Sequence, residues 1–255
     1  MARPDRAPPG PGMNLRLFVD APLQAGHEMA LPPGAARHAQ VRRVQPGDTL
    51  SLFDGQGSDW PATVLRMGRS DVTVRLAQPL PVHHELPLAV TLALGMPANE
   101  RMDALLEKAT EMGVACIQPL HCERSVLRLA GERAERKRVH WQAIAEAACE
   151  QSGRARVPQV ALVKSLHDWL AASANVPAQR LMLSLDSAAP PLRDMPAQAA
   201  AFHVHVLSGP EGGLTPAEQA SAIAAGFQPT SLGPRVLRAD TAPLAALAWL
   251  SLRAG

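Results

Sequence analysis

Two glycine-bearing segments near the carboxyl end hold the residue types best suited to binding an anionic or polarised ligand. The first is Ser208-Gly209-Pro210-Glu211-Gly212-Gly213. Its glycines allow close backbone approach, and the helix expected after it presents unpaired N–H groups. It has neither the GxGxxG spacing of a dinucleotide fingerprint nor the GK[ST] of a P-loop, which disfavours nucleotide hydrolysis. The second segment runs from Leu232-Gly233-Pro234-Arg235 through Val236-Leu237-Arg238 to Ala239-Asp240-Thr241. Arg235 and Arg238 lie beside a Gly-Pro turn, where planar guanidiniums can hold a phosphate or a polarised base. Glu211 is a candidate proton acceptor that also fits a cap on the following helix, and Asp240, first of all a helix cap, is another. Each segment alone also fits a plain connection, a tight βα turn or a cap with surface arginines. Two of them at neighbouring strand ends favour a ligand.

The elements that position these segments follow from the hydrophobic pattern. His203–Leu207 and Leu181–Leu185 read as buried strands, and Thr215-Pro216-Ala217-Glu218 is a capping box with proline at the first helical position. Leu88–Leu94 is a continuous apolar strand, suited to burial on both faces. Glu100–Met112 places Met102, Leu105, Leu106, Ala109 and Met112 on one helical face, with Gly113 to end it. Val114–Leu120 is a further strand, a long helix covers Glu132–Gln151, and Pro243–Leu252 is an apolar helix. Alternating strands and helices predict an α/β domain over 88–255, with a mostly parallel sheet whose ligands bind beyond the strands' carboxyl ends. Upstream, Leu15–Val19, Thr49–Phe53, Ala62–Leu65 and Val72–Leu76 are short strands separated by turns such as Asp54-Gly55-Gln56-Gly57, with a helix at Ala35–Val44. They predict a small β-barrel over 14–80. The proline-rich stretch Gln78–Pro87 supplies a linker at 81–87. Residues 1–13 have no apolar pattern and read as a disordered tail, with Met1 and Met13 both fitting as the start.

Composition narrows the function classes. The chain has 255 residues, 47% of them hydrophobic, and no run of eighteen apolar residues, so a membrane span is not expected. The amino end lacks the apolar region of a secretory signal, and three cysteines suit a reducing cytoplasm better than a disulfide framework. A net charge of +2 does not identify a nucleic-acid partner. Between His121 and Arg156 there are eight Lys/Arg and five Asp/Glu, a mixture that fits a solvated helix face as well as an RNA-binding one. With four Phe, four Trp and no Tyr, extensive base stacking is not expected. Cys116, His121 and Cys122 lack a standard zinc spacing, so no metal is expected, and His203 and His205 share one strand face, where packing suffices.

The segments GPEGG and LGPRVLRADTA resemble the GPEGG…LGxRILRxETA pair of RsmE-type SPOUT methyltransferases. Three further matches stand in the family's order: Glu107-Lys108-Ala109-Thr110-Glu111-Met112-Gly113-Val114, then Glu123-Arg124-Ser125, then Cys149-Glu150-Gln151-Ser152-Gly153-Arg154. Arg16-Leu17-Phe18-Val19-Asp20, His38, Val41-Arg42-Arg43-Val44 and Pro46-Gly47-Asp48 resemble its PUA-like domain. The resemblance covers nearly the whole chain from Leu15. It implies a homodimeric enzyme with a C-terminal trefoil knot, which uses S-adenosyl-L-methionine (SAM) to methylate N3 of a uridine, position 1498, of 16S rRNA in the small ribosomal subunit. It implies cofactor contacts from Leu185, Ser208, Gly209, Pro210, Gly212, Leu232, Gly233, Val236 and Leu237. Arg235, Arg238 and Glu211 are then the catalytic candidates. Arg16, Arg42, Arg43, Arg124, Arg154 and Arg156 become candidates for rRNA phosphates. Ala239 and Asp240 depart from the family's Thr and Glu. That leaves two alternatives: a SPOUT methyltransferase on another RNA, and a non-catalytic RNA-binding protein of ribosome assembly.

Overall fold

The computed structural model describes residues 15–69, 71–195 and 203–254, so the tail expected at 1–13 lies outside the described residues. The chain divides into two compact units, residues 1–85 with 149–156, and 86–148 with 157–255.

The first unit holds β1 (Arg16–Phe18), β2 (Glu28–Ala30), α1 (Pro33–Val41), β3 (Thr49–Phe53), β4 (Ser58–Met67), β5 (Val72–Leu76) and β6 (Leu80–Pro81). They form a six-stranded sheet in the order β1-β3-β4-β5-β2, with β6 beside β4. The β1–β3 pair is parallel and the rest are antiparallel. Alternation sets its faces: Val72, Val74 and Leu76 of β5 are buried, while Thr73 and Arg75 turn outward. Leu17, Leu50, Leu52 and Val64 complete the core, and Ala35, Ala36 and Ala39 let α1 lie close against it. β6 falls across the start of the expected linker, whose prolines do not prevent a two-residue edge pairing.

α1 ends unusually. Arg43 N–H donates to Gln40 O and Val44 N–H to Ala39 O, the paired bonds of a Schellman motif. The left-handed position of that motif favours glycine, yet here it is Arg43, at φ 56°. Its backbone strain costs on the order of 1–3 kcal/mol.

The second unit contains β7 (Ala89–Gly95), α2 (Asn99–Glu111), β8 (Cys116–His121), the body of α3 (Gly131–Ser152), β9 (Gln159–Val160), β10 (Lys164–Ser165), α4 (Leu166–Ser173), β11 (Gln179–Leu183), β12 (His203–Ser208), α5 (Pro216–Ala224), β13 (Gln228–Thr230) and α6 (Thr241–Ala254). The sheet order is β10-β8-β7-β12-β11-β13 with β9 beside β8, and every pairing is parallel. Successive residues of one strand reach opposite faces. Leu92, Leu94, Val204 and Val206 join a core with Met102 and Leu106 of α2, Trp141 of α3 and Leu247 of α6. Ala93 and Leu207 join a second core with Trp169 and Leu170 of α4 and Ala222 and Phe227 of and after α5. The sheet is therefore covered on both sides, as its continuous apolar strands require. Asp103 fastens two of those helices, accepting from Trp141 Nε1 at 2.9 Å while its other oxygen lies 2.9 Å from His140 Nε2. Among the described residues no helix is long and apolar enough to cross a membrane.

His203 and His205 do share a face of β12, but only His205 is buried. Its ring lies 5.8 Å from that of Trp169, and its Nδ1 has no hydrogen-bond partner. Burial, aided by the charges of Arg180 and His203, lowers its pKa from 6.5 to about 4. Above pH 6.5 the ring is neutral in both folded and unfolded chains. Between about pH 6.5 and 4 the unfolded chain binds a proton that the folded one does not, so stability falls with pH across that window. Denaturation midpoints of a His205→Phe variant should decline less steeply than wild type there; parallel slopes would show that His205 does not contribute.

Candidate functional site

The strands β12, β11 and β13 are neighbours and end together at Ser208, Leu183 and Thr230. The segments after them enclose a cavity of about 320 Å³, within the range of roughly 300–1,000 Å³ usual for small-molecule sites. Its wall brings together Leu185, Ser208, Gly209, Pro210, Gly212, Leu232, Gly233, Val236 and Leu237, the nine residues anticipated for cofactor contact. Glu211, Arg235, Arg124, Ser184, Gln219 and Ala239 also line it. Leu185 and Val236, 74% and 78% exposed, put apolar surface on its wall.

Close packing fixes the first segment. A Cβ on Gly95, the last residue of β7, would come within 2.4 Å of Pro210 Cδ and 2.5 Å of Pro210 N. One on Gly209 would come within 2.9 Å of Leu214 N. Gly213 N–H closes the turn onto Pro210 O at 2.8 Å, with φ 68° at Gly213. The capping box of α5 is present as expected: Thr215 Oγ1 accepts from Glu218 N and Glu218 Oε2 from Thr215 N. Glu218 does more than the sequence indicates, because its Oε1 accepts from Glu123 N at 2.7 Å. Cys122 N donates to Ser125 Oγ, completing the 122–125 turn. Burial, then the Glu218 charge, pushes the Cys122 thiol up to about 12, and burial lifts Cys116 to about 11. Neither is poised as a nucleophile. Cys116 and His121 sit at opposite ends of β8.

Glu211 does not cap the following helix, whose N-cap is Thr215. Its Oε1 accepts from Ala98 N, at the start of α2, at 3.0 Å and lies 3.7 Å from Arg101 Nη1. It ties the glycine segment to α2. Arg124 Nη1 donates to Gly212 O at 3.0 Å from the other side.

The second segment is open to a ligand. Ser231 Oγ accepts from Gly233 N at 3.1 Å, and Gly233 takes φ 104°. Thr241 and Ala242 N–H both donate to Arg238 O, starting α6. The backbone N–H groups of residues 235–239 donate to no described residue, and the guanidiniums of Arg235 and Arg238 are exposed without a described partner. Arg235 lines the cavity; Arg238 does not. Asp240 does not make the expected cap: its Oδ1 is buried without a hydrogen bond.

The arginines expected to meet phosphate separate into two groups. Arg42, Arg43, Arg124 and Arg156 are exposed. Arg16 and Arg154 are not available. Arg154 has a side chain only 4% exposed, and its Nε and Nη2 both donate to Glu85 Oε2. Arg16, 12% exposed, donates to Asp59 and to Cys149 O and Arg154 O, with its guanidinium 3.9 Å from the Phe53 ring centre. Desolvated guanidiniums with internal acceptors build the fold rather than bind phosphate.

The chain is similar to known proteins over most of its length. Residues 84–251 match the model of an RNA methyltransferase domain, and residues 31–77 that of an RNA methyltransferase PUA domain. A ribosomal RNA small subunit methyltransferase E from Synechocystis is 35% identical over 218 residues, covering 83% of this chain and 68% of that protein. Two solved structures superpose closely. A putative methyltransferase from Legionella pneumophila in complex with bound SAM gives a TM-score of 0.88 at 34% identity, covering 94% of this chain and 98% of that one. A ribosomal RNA small subunit methyltransferase E from Neisseria gonorrhoeae bound to S-adenosyl methionine gives 0.86 at 34% identity, covering 94% and 97%.

The contact at Gly95 makes a direct prediction. Gly95→Ala places a methyl against the backbone of residues 209 and 210 and should cost about 1–3 kcal/mol of stability. An unchanged urea midpoint would show that the segment has room to give.

Proposed function

This chain belongs to the RsmE-type family of SPOUT-class RNA methyltransferases, and on that premise we propose that it methylates 16S rRNA in the small ribosomal subunit. The acceptor in this reading is N3 of one uridine, position 1498 by family resemblance, and the methyl donor is SAM. A homodimer, a trefoil knot in the C-terminal domain and a cytoplasmic location belong to the same reading. The PUA-like unit serves it as an RNA-binding domain.

The observation that carries the proposal is the cavity at three adjacent strand ends, with Arg235 and the backbone donors at 235–239 unpaired among the described residues. Its chemistry suits SAM. Leu185, Leu232, Val236 and Leu237 offer apolar surface for an adenosine, and unpaired peptide groups offer hydrogen bonds to its polar edges. When bound, SAM supplies a methyl group activated by a sulfonium.

This chain's own residues must then position the uracil and ease the loss of its N3 proton. An Arg235 guanidinium on the cavity wall favours the anionic ring over the neutral one, which lowers the cost of deprotonation. Glu211 Oε1 accepts from Ala98 N, and its other oxygen, with no described partner, stays the candidate acceptor for that proton. Arg238, outside the cavity, is suited to an adjoining RNA phosphate, as are Arg42, Arg43 and Arg156 on exposed surface.

Labelled methyl transfer from SAM to unmethylated small subunits tests the assignment. Arg235→Ala should lower turnover by about 10²–10³-fold while binding of S-adenosylhomocysteine persists. Unchanged turnover would remove Arg235 from the reaction. The strained Arg43 gives a second test. Arg43→Gly should raise stability by about 1 kcal/mol yet weaken binding to small subunits and reduce the salt slope by about one. Undiminished affinity would contradict its role.

A further inference from the structure

The charged residues that line the cavity are Arg124, Arg235 and Glu211, and Glu211 already serves Ala98 N and Arg101. Arg235 comes from the segment that supplies Leu232, Val236 and Leu237. Arg124 comes from the other side, where the wall is the backbone of residues 209–213.

Arg124 is placed by a chain of specific contacts. Glu218 accepts from Glu123 N, Ser125 Oγ accepts from Cys122 N, and Arg128 Nη2 donates to Glu123 O at 2.8 Å, so the backbone on both sides of Arg124 is pinned. Its side chain lies flush along Gly212: a Cβ there would come within 3.0 Å of Arg124 Cβ and 3.4 Å of Arg124 Cδ. One N–H is used on Gly212 O, and no described carboxylate pairs with the rest. A guanidinium held this way presents its remaining donors in a fixed plane, the geometry that matches a carboxylate.

We propose that Arg124 binds the carboxylate of the amino-acid tail of the cofactor, and so makes the cavity selective for the intact cofactor over adenosine derivatives without that tail. This assigns Arg124 to the cavity in place of an rRNA phosphate. It rests on the reading of the cavity as a SAM site. Arg235 is left for the nucleotide, so the two guanidiniums serve two anions.

Calorimetry on the full chain with two ligands separates the possibilities. S-adenosylhomocysteine carries the tail carboxylate and 5′-methylthioadenosine lacks it. Arg124→Ala should weaken S-adenosylhomocysteine about 10–100-fold, as expected for loss of a charge-assisted pair, and leave 5′-methylthioadenosine within about twofold. Retained binding of the second ligand also shows that the variant is folded. Arg124→Lys should recover part of the loss, since it keeps the charge without the fork. Equal weakening of both ligands would overturn the proposal, as would unchanged binding of S-adenosylhomocysteine with reduced affinity for small subunits. Failure of the wild-type chain to bind either ligand would instead overturn the cavity reading itself, and this inference with it.

Discussion

Glu218 accepts hydrogen bonds from two backbone amides, Thr215 N at the start of α5 and Glu123 N in the turn after β8. One carboxylate therefore fixes both the helix that closes the first glycine segment and the turn that carries Arg124. The cavity depends on that double attachment. Pro210 is seated against Gly95, Glu211 is drawn to α2, and Gly212 is met by Arg124, so the segment is held from three sides. A segment fixed by backbone contacts can present peptide groups to a ligand without first being ordered, which is the advantage of preorganisation. The second segment contrasts with it, because its amides at 235–239 donate to no described residue.

The distribution of arginines shows why charge counts say little about an RNA-binding surface. Arg16 and Arg154 stand in motifs that resemble the family's, and both are internal: one holds Asp59 and the end of α3, the other holds Glu85. Arg42 and Arg43 are exposed, and Arg43 holds a backbone conformation that glycine would adopt at lower cost.

Much of the architecture was legible in the pattern of residues. The i, i+3, i+4, i+7 set of α2, the apolar run of β7 and the Thr215–Glu218 capping box all form as their spacing predicts. The elements not anticipated have physical reasons. β2, β9 and β10 span two or three residues, too few for any periodicity to show. α4 did carry a signal, Ser165 capping onto Asp168 N and Leu166, Trp169, Leu170 and Ser173 on one face, but a single eight-residue helix is near the lower limit of such patterns. At the site, residue types pointed to the two segments that line the cavity. They did not indicate that Glu211 accepts from Ala98 N, that Arg124 lines the cavity, or that Asp240 leaves an oxygen unpaired, because partners distant in sequence decide all three.

The central claim is a reaction at one position of one RNA. Nuclease digestion and mass spectrometry of 16S rRNA, from otherwise identical cells with and without the gene, test it most directly. The account predicts that a single 3-methyluridine disappears in the deletion and returns when the wild-type gene is restored. An intact 3-methyluridine in the deletion strain would contradict it.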